Sequence, residues 1–187
     1  DLVQSLKKYL KSHKLSTAVG DEGGFVLRGK TTEQVLTLLV DIATSLGWQP
    51  HKDYKLSLDC AANEYFCQEK KTYTVDNTIY SEEQYRQWLL KIVQEYPLYS
   101  LEDPFVETAH ESYSMFQQTV GSNLIVIGDD LTTTNEERLE KACASRLIKG
   151  LILKPNQNGL FSGFDKTVRL AQQKGLVTVF SHRSGDT

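Results

Sequence analysis

The chain has 187 residues, 40% of them hydrophobic and 24% charged, with a formal net charge of −3. That length makes one soluble domain or most of one, and the apolar content excludes wholesale disorder. No run approaches the roughly 18 apolar residues a membrane span requires, and near-balanced, scattered charge makes nucleic acid an unsuitable partner. The start, Asp1-Leu2-Val3-Gln4, has neither a basic segment ahead of an apolar stretch nor an initiating Met, so no targeting peptide is expected. Cys60, Cys67 and Cys143 form no CxxC pair and are odd in number, which favours reduced thiols in a cytoplasmic protein over a Cys60–Cys67 bridge.

In chain order, Leu2 to His13 has helical spacing (Leu2, Leu6, Leu10), and Ser16-Thr17-Ala18-Val19 reads as a strand running into the turn Gly20-Asp21-Glu22-Gly23-Gly24. Thr31 and Gln34 fit a capping box ahead of Val35, Leu38, Leu39 and Ile42, with Gly47 as the stop. Lys55-Leu56-Ser57-Leu58 is a strand ending at Asp59, and Tyr65 to Tyr80 reads as a hairpin turning at Asp76-Asn77. Ser81 and Gln84 repeat the capping device before Tyr85, Trp88, Leu89, Ile92 and Val93. Pro97–Leu101 is a strand ending at Glu102, Leu124–Gly128 one ending at Asp129, and Gly150–Leu153 one ending at Lys154. Asn135 caps a helix carrying Leu139 and Ala142, and Phe164, Val168 and Ala171 mark another stopped by Gly175. Leu176–Ser181 is a last strand, ending at His182.

Strand–helix alternation without linkers implies an α/β fold with a parallel sheet and helices outside it. Glu22, Asp59, Glu102, Asp129, Lys154 and His182 all fall at the C-terminal ends of expected strands. In a β/α barrel those ends converge on one mouth, where active sites of the fold lie; an open doubly wound sheet would instead spread them along a crevice. Gathering so many ionisable groups is a costly way to build structure, so a catalytic site is the better explanation. Asp59, Glu102 and Asp129 offer oxygen only, which favours a hard cation, Mg2+ before Ca2+, and disfavours zinc. Lys154 suits a general base, and Glu22, in a glycine turn that admits substrate closely, suits the opposing acid of an elimination. His182-Arg183-Ser184-Gly185 supplies a forked cation, a hydroxyl and backbone for a phosphate. Asp21, Asp103 and Asp130 adjoin these residues and are candidate partners holding them.

These stretches match a family. The chain resembles enolase (phosphopyruvate hydratase) at Ala18–Phe25, Leu58–Phe66, Tyr96–Phe105, Gly128–Asn135, Leu153–Gly159 and Ser181–Thr187, in the family's order and over nearly the whole chain. The resemblance implies an incomplete TIM-type (β/α) barrel of about six of eight strands, residues 1–187 being part of the C-terminal barrel domain. The N-terminal α+β domain and the last barrel strand are then absent. It implies Mg-dependent, reversible dehydration of 2-phosphoglycerate to phosphoenolpyruvate in glycolysis and gluconeogenesis. Asp59, Glu102 and Asp129 correspond to ligands of Mg2+, the last two also lining the substrate site. Lys154 corresponds to the base at C2 and Glu22 to the acid at the C3 hydroxyl. Arg183 and Ser184 correspond to phosphate contacts, with Ser181 and His182 in the same loop, and the full-length protein is expected to be a cytoplasmic homodimer. Pro155 and Asn158 depart from the family's Lys-x-Asn-Gln-Ile-Gly pattern, and Asp186 replaces Glu. Two alternatives are a superfamily lyase acting on a sugar acid, which the phosphate-suited Arg183-Ser184 argues against, and a non-catalytic enolase-like binding protein, which intact Lys154, Glu22 and metal carboxylates argue against.

Overall fold

A computed structural model describes residues 2–20 and 23–181. The chain divides into two compact units, Asp1–Lys55 and Leu56–Thr187. In the first, α1 (Leu2–Ser12) packs on α2 (Thr32–Ser45) and buries Leu10 completely. Both halves of the capping box at α2 form: Thr31 accepts the Gln34 N–H and the Gln34 side chain accepts that of Thr31. Gly47 takes the stop position with φ +79, a conformation glycine adopts without penalty.

The segment Ser16–Val19 forms no strand of the parallel sheet. Val19 makes a single antiparallel bridge to Phe25, and the Val26 N–H donates to the Ala18 carbonyl, because the glycine turn folds the chain straight back on itself. The parallel strands among the described residues therefore number five, where the sequence suggested six.

The second unit holds those five strands: β1 (Leu56–Asp59), β5 (Leu98–Glu102), β6 (Ile125–Gly128), β7 (Gly150–Leu153) and β8 (Val177–Phe180). Between β1 and β5 comes the antiparallel excursion β2 (Phe66–Cys67), β3 (Thr72–Val75) and β4 (Thr78–Ser81), turning at Asp76-Asn77 as expected, with both residues at positive φ. Helices α3 (Glu82–Glu95), α4 (His110–Val120), α5 (Glu136–Ala144) and α6 (Phe161–Gln173) link the strands. All four pairings are parallel and follow chain order, β1-β5-β6-β7-β8. A doubly wound sheet reverses its order at a switch point; this one does not, and it curls as a half-barrel of the TIM type. β7 is buried throughout. A Cβ on its Gly150 would meet the Val177 carbonyl at 3.0 Å, so only glycine lets β7 and β8 approach this closely.

Aromatic side chains hold the excursion to the helices. Tyr73 stacks on Tyr85 with ring centres 4.2 Å apart, and Phe105 meets Tyr85, Tyr113 and Phe116 edge to face. The α4 helix was not evident from sequence, since its N-cap, Ala109, provides no side-chain cap and polar residues interrupt its apolar face. All three cysteines are free.

Candidate active site

Parallel register sets the height of each acid. Asp59 pairs with Glu102, and Glu102 pairs with Ile127, so Asp129 lies two residues further up its own chain. At about 3.3 Å per residue that places it one pleat repeat closer to the mouth. Lys154 follows β7 directly, and its Nζ donates to Asp129 Oδ2 at 2.5 Å, the side chains only 20% and 14% exposed. A charge-assisted bond so far from water is a strong one. The other Asp129 oxygen, Oδ1, is buried and accepts no hydrogen bond from the described residues. Such an oxygen forfeits about 1–3 kcal/mol unless a ligand takes it up.

The acids repel one another. Loss of solvent, then Asp59, Asp129 and Asp103, push the Glu102 carboxyl up to about 8, with Lys154 pulling the other way. Asp59 is also raised, first by desolvation and then by Asp129, although the Ala61 N–H donated to its Oδ1 at 2.9 Å opposes the shift. A cation among these oxygens would relieve what burial and like charge impose.

Asp103, suggested only as a neighbour, is 4% exposed and well used. It accepts the amide N–H of Asp129 at 3.0 Å and of Asp130 at 2.6 Å, and the Tyr113 hydroxyl at 3.3 Å. Burial drives its carboxyl up to about 7 against the pull of those two amides. Among the described residues, the one trio of metal-ligating side chains with oxygens all within 4.8 Å of one another is Asp103, Asp129 and Asp130. By that measure the expected set Asp59, Glu102 and Asp129 does not close on one point, and Asp103 owes its place in the trio to capping the turn that starts at Asp129. Asp130 in turn accepts from Asn63 Nδ2 at 2.8 Å, and Asn63 Oδ1 accepts the Glu107 N–H at 3.0 Å, which ties the loops after β1, β5 and β6 together.

Ser181 follows β8, and its N–H donates to the Leu153 carbonyl at 3.0 Å. Glu22, His182, Arg183, Ser184 and the departure Asp186 lie outside the described residues. Thr134, marked in the sequence only as part of the family-matching stretch Gly128–Asn135, is fully buried, and its hydroxyl accepts the Lys154 N–H. It sits with Thr133 at φ +50 and +47, which a β-branched residue adopts only under strain, of order 1–3 kcal/mol each.

Strands in barrel order, with carboxylates and a lysine gathered at their C-terminal ends, define an active-site end of a β/α-barrel protein. Residues 1–187 match the family described as "Enolase, C-terminal TIM barrel domain". Over 182 residues the chain is 34% identical to the enolase of Ehrlichia canis (strain Jake), an alignment covering 97% of this chain and 43% of that protein. The chain belongs to the enolase family, and it spans less than half the length of that relative.

Proposed function

We propose that this chain is the larger part of the catalytic barrel of an enolase that interconverts 2-phosphoglycerate and phosphoenolpyruvate, with Asp59, Glu102 and Asp129 as the holders of Mg2+. The donor set supports the metal: it is all oxygen, it includes the orphaned Asp129 Oδ1, and Glu102 and Asp59 are raised first by desolvation and then by neighbouring acids. When bound, Mg2+ supplies positive charge to the carboxylates and to the substrate carboxylate, whose charge grows as the C2 proton leaves. Lys154 takes that proton on Nζ as the neutral amine and becomes the ammonium that pairs with Asp129. Glu22 gives a proton to the departing C3 hydroxyl, the C2–H electron pair becomes the C2–C3 double bond, and water leaves. Ser181, His182, Arg183 and Ser184 hold the phosphate. The observation that carries the reading is the Lys154–Asp129 pair, which fixes the amine at the mouth beside the acids.

The five strands leave β1 and β8 at the edges of the sheet, with Phe180 65% exposed. Alone, the chain is therefore expected to be weakly stable and inactive, its activity belonging to a longer, cytoplasmic, dimeric polypeptide. The test grafts residues 1–187 in place of the matching segment of the Ehrlichia canis enolase and assays dehydration of 2-phosphoglycerate with Mg2+. Turnover by the graft, lost in Lys154→Ala and absent from the chain alone, is expected. A graft that folds but stays silent would overturn the proposal, and turnover by the isolated chain would overturn its inactivity.

A further inference from the structure

We infer that Thr134 is a positioning residue for Lys154, locking the backbone from which the amine reaches Asp129. The deduction rests on the reading of Lys154 as the proton-abstracting amine. The segment from Asp129 to Thr134 touches Lys154 twice. At one end Asp129 Oδ2 accepts from the Lys154 ammonium at 2.5 Å; at the other, Thr134 Oγ1 accepts the Lys154 backbone N–H at 3.0 Å. One short loop thus fixes both where the lysine side chain starts and where it ends. The Thr134 hydroxyl has one proton and two acceptors in reach, Gln157 Oε1 at 2.7 Å and the Ile152 carbonyl at 3.4 Å, the nearer being the better placed, and with either it still accepts the Lys154 N–H.

The loop is in turn tied from behind. The Thr134 carbonyl accepts from Asn158 Nδ2 at 3.0 Å and shares the Thr167 hydroxyl of α6, at 3.1 Å, with the Gly163 carbonyl at 3.0 Å. Thr134 and Thr167 are both fully buried. Asn158 is a residue at which the chain departs from the family pattern, and here the departure adds a tether an apolar side chain could not make. Thr134 is held in the left-handed region at φ +50. A β-branched residue stays there only when its surroundings over-determine it, and strain of this kind concentrates where geometry is in demand. The surroundings here are hydrogen bonds that converge on Thr134 from Lys154, Gln157, Asn158 and Thr167, the first of them to the lysine's own backbone.

The test uses the 187-residue chain and reads no turnover, so its failure and that of the proposed activity can be told apart. Two signals are followed by NMR: hydrogen exchange of the Lys154 backbone amide relative to amides inside β5 and β7, and the Lys154 ammonium resonance, which pairing with Asp129 keeps from exchanging. In Thr134→Val, which keeps the shape and removes the acceptor, the Lys154 amide is expected to exchange at least about tenfold faster relative to the strand amides, and the ammonium signal to be lost. Thr134→Ser keeps the hydroxyl without the γ-methyl and is expected to restore both signals even if it melts earlier. Wild-type exchange at Lys154 in Thr134→Val would overturn the inference. So would loss of both signals in a folded Thr134→Ser, the outcome that decides the matter should Thr134→Val not fold.

Discussion

Crowding acids at one mouth has a cost that pH should expose. The folded chain holds Glu102 up at about 8, against an ordinary glutamate value near 4.5. At about 1.36 kcal/mol per unit the full shift is worth about 5 kcal/mol, which solvent at this partly exposed carboxyl screens to about 3 kcal/mol. The sign follows from the direction: the folded state binds the proton more tightly, so the stability is fully present below about pH 4.5 and is lost as pH rises through about 8. Glu102→Gln removes one charge and is expected to recover about 2–3 kcal/mol of this, since Asp59, Asp103 and Asp129 go on repelling one another. Urea titrations with chelator at about pH 6 and about pH 9 read the effect as a shift in midpoint at constant slope. The wild-type chain should weaken between the two, Glu102→Gln should weaken much less, and millimolar Mg2+ at the higher pH should restore wild type more than the variant. A wild-type stability that is flat or rises across that window would refute the electrostatic account of the mouth, with or without the metal.

Asp103→Ala strips the acceptors from the Asp129 and Asp130 amides and should cost about 2–4 kcal/mol in urea unfolding, with Asp103→Asn intermediate because one oxygen remains. Gly163 lies in the first turn of α6, where an added Cβ would fall 2.0 Å from Asn158 Oδ1. Gly163→Ala should therefore lower the melting temperature by breaking the Asn158–Thr134 tether, yet raise stability by about 0.5–1 kcal/mol in an Asn158→Ala background, where only helix propensity is left. Cys60 is buried and desolvation pushes its thiol far up, so an aromatic disulfide reagent should modify Cys67 and Cys143 in the native chain and reach Cys60 only on unfolding.

What could be read ahead of the structure was what short-range chemistry determines. The Thr31/Gln34 and Ser81/Gln84 boxes announced two helices because each satisfies orphan amides within four residues. The apolar runs ending at Asp59, Glu102, Asp129 and Lys154 announced strands because short apolar segments closed by a polar residue have few other uses. The failures were cases where distant partners decide. Ser16–Val19 has strand composition, but the glycine turn gives it a closer partner in Phe25 than any sheet could. The α4 helix lacks a side-chain cap and is held by burial of Tyr113, Phe116 and Val120. Thr134, by composition a poor candidate for left-handed backbone, adopts it because Lys154, Asn158 and Thr167 arrive from residues 20 to 33 positions away.

The turn after β6 is where these strands of reasoning meet. Its first residue, Asp129, is placed by a carboxylate from the end of β5, through the Asp103 bond to its amide, and holds the lysine that follows β7. Thr132 closes the turn by donating its hydroxyl to the Gly128 carbonyl at 3.1 Å, Thr134 holds the lysine backbone, and Asn135 ends it by capping α5 through the Arg138 N–H. Among the described residues, the one buried side-chain atom of this turn without a hydrogen-bond partner is Asp129 Oδ1. In a turn this fully bonded, an unmatched buried acceptor is not slack in the fold, because rotating the carboxylate to solvate it would break the pair with Lys154. The orphaned oxygen is better understood as the point at which the protein has left a bond for something else to make.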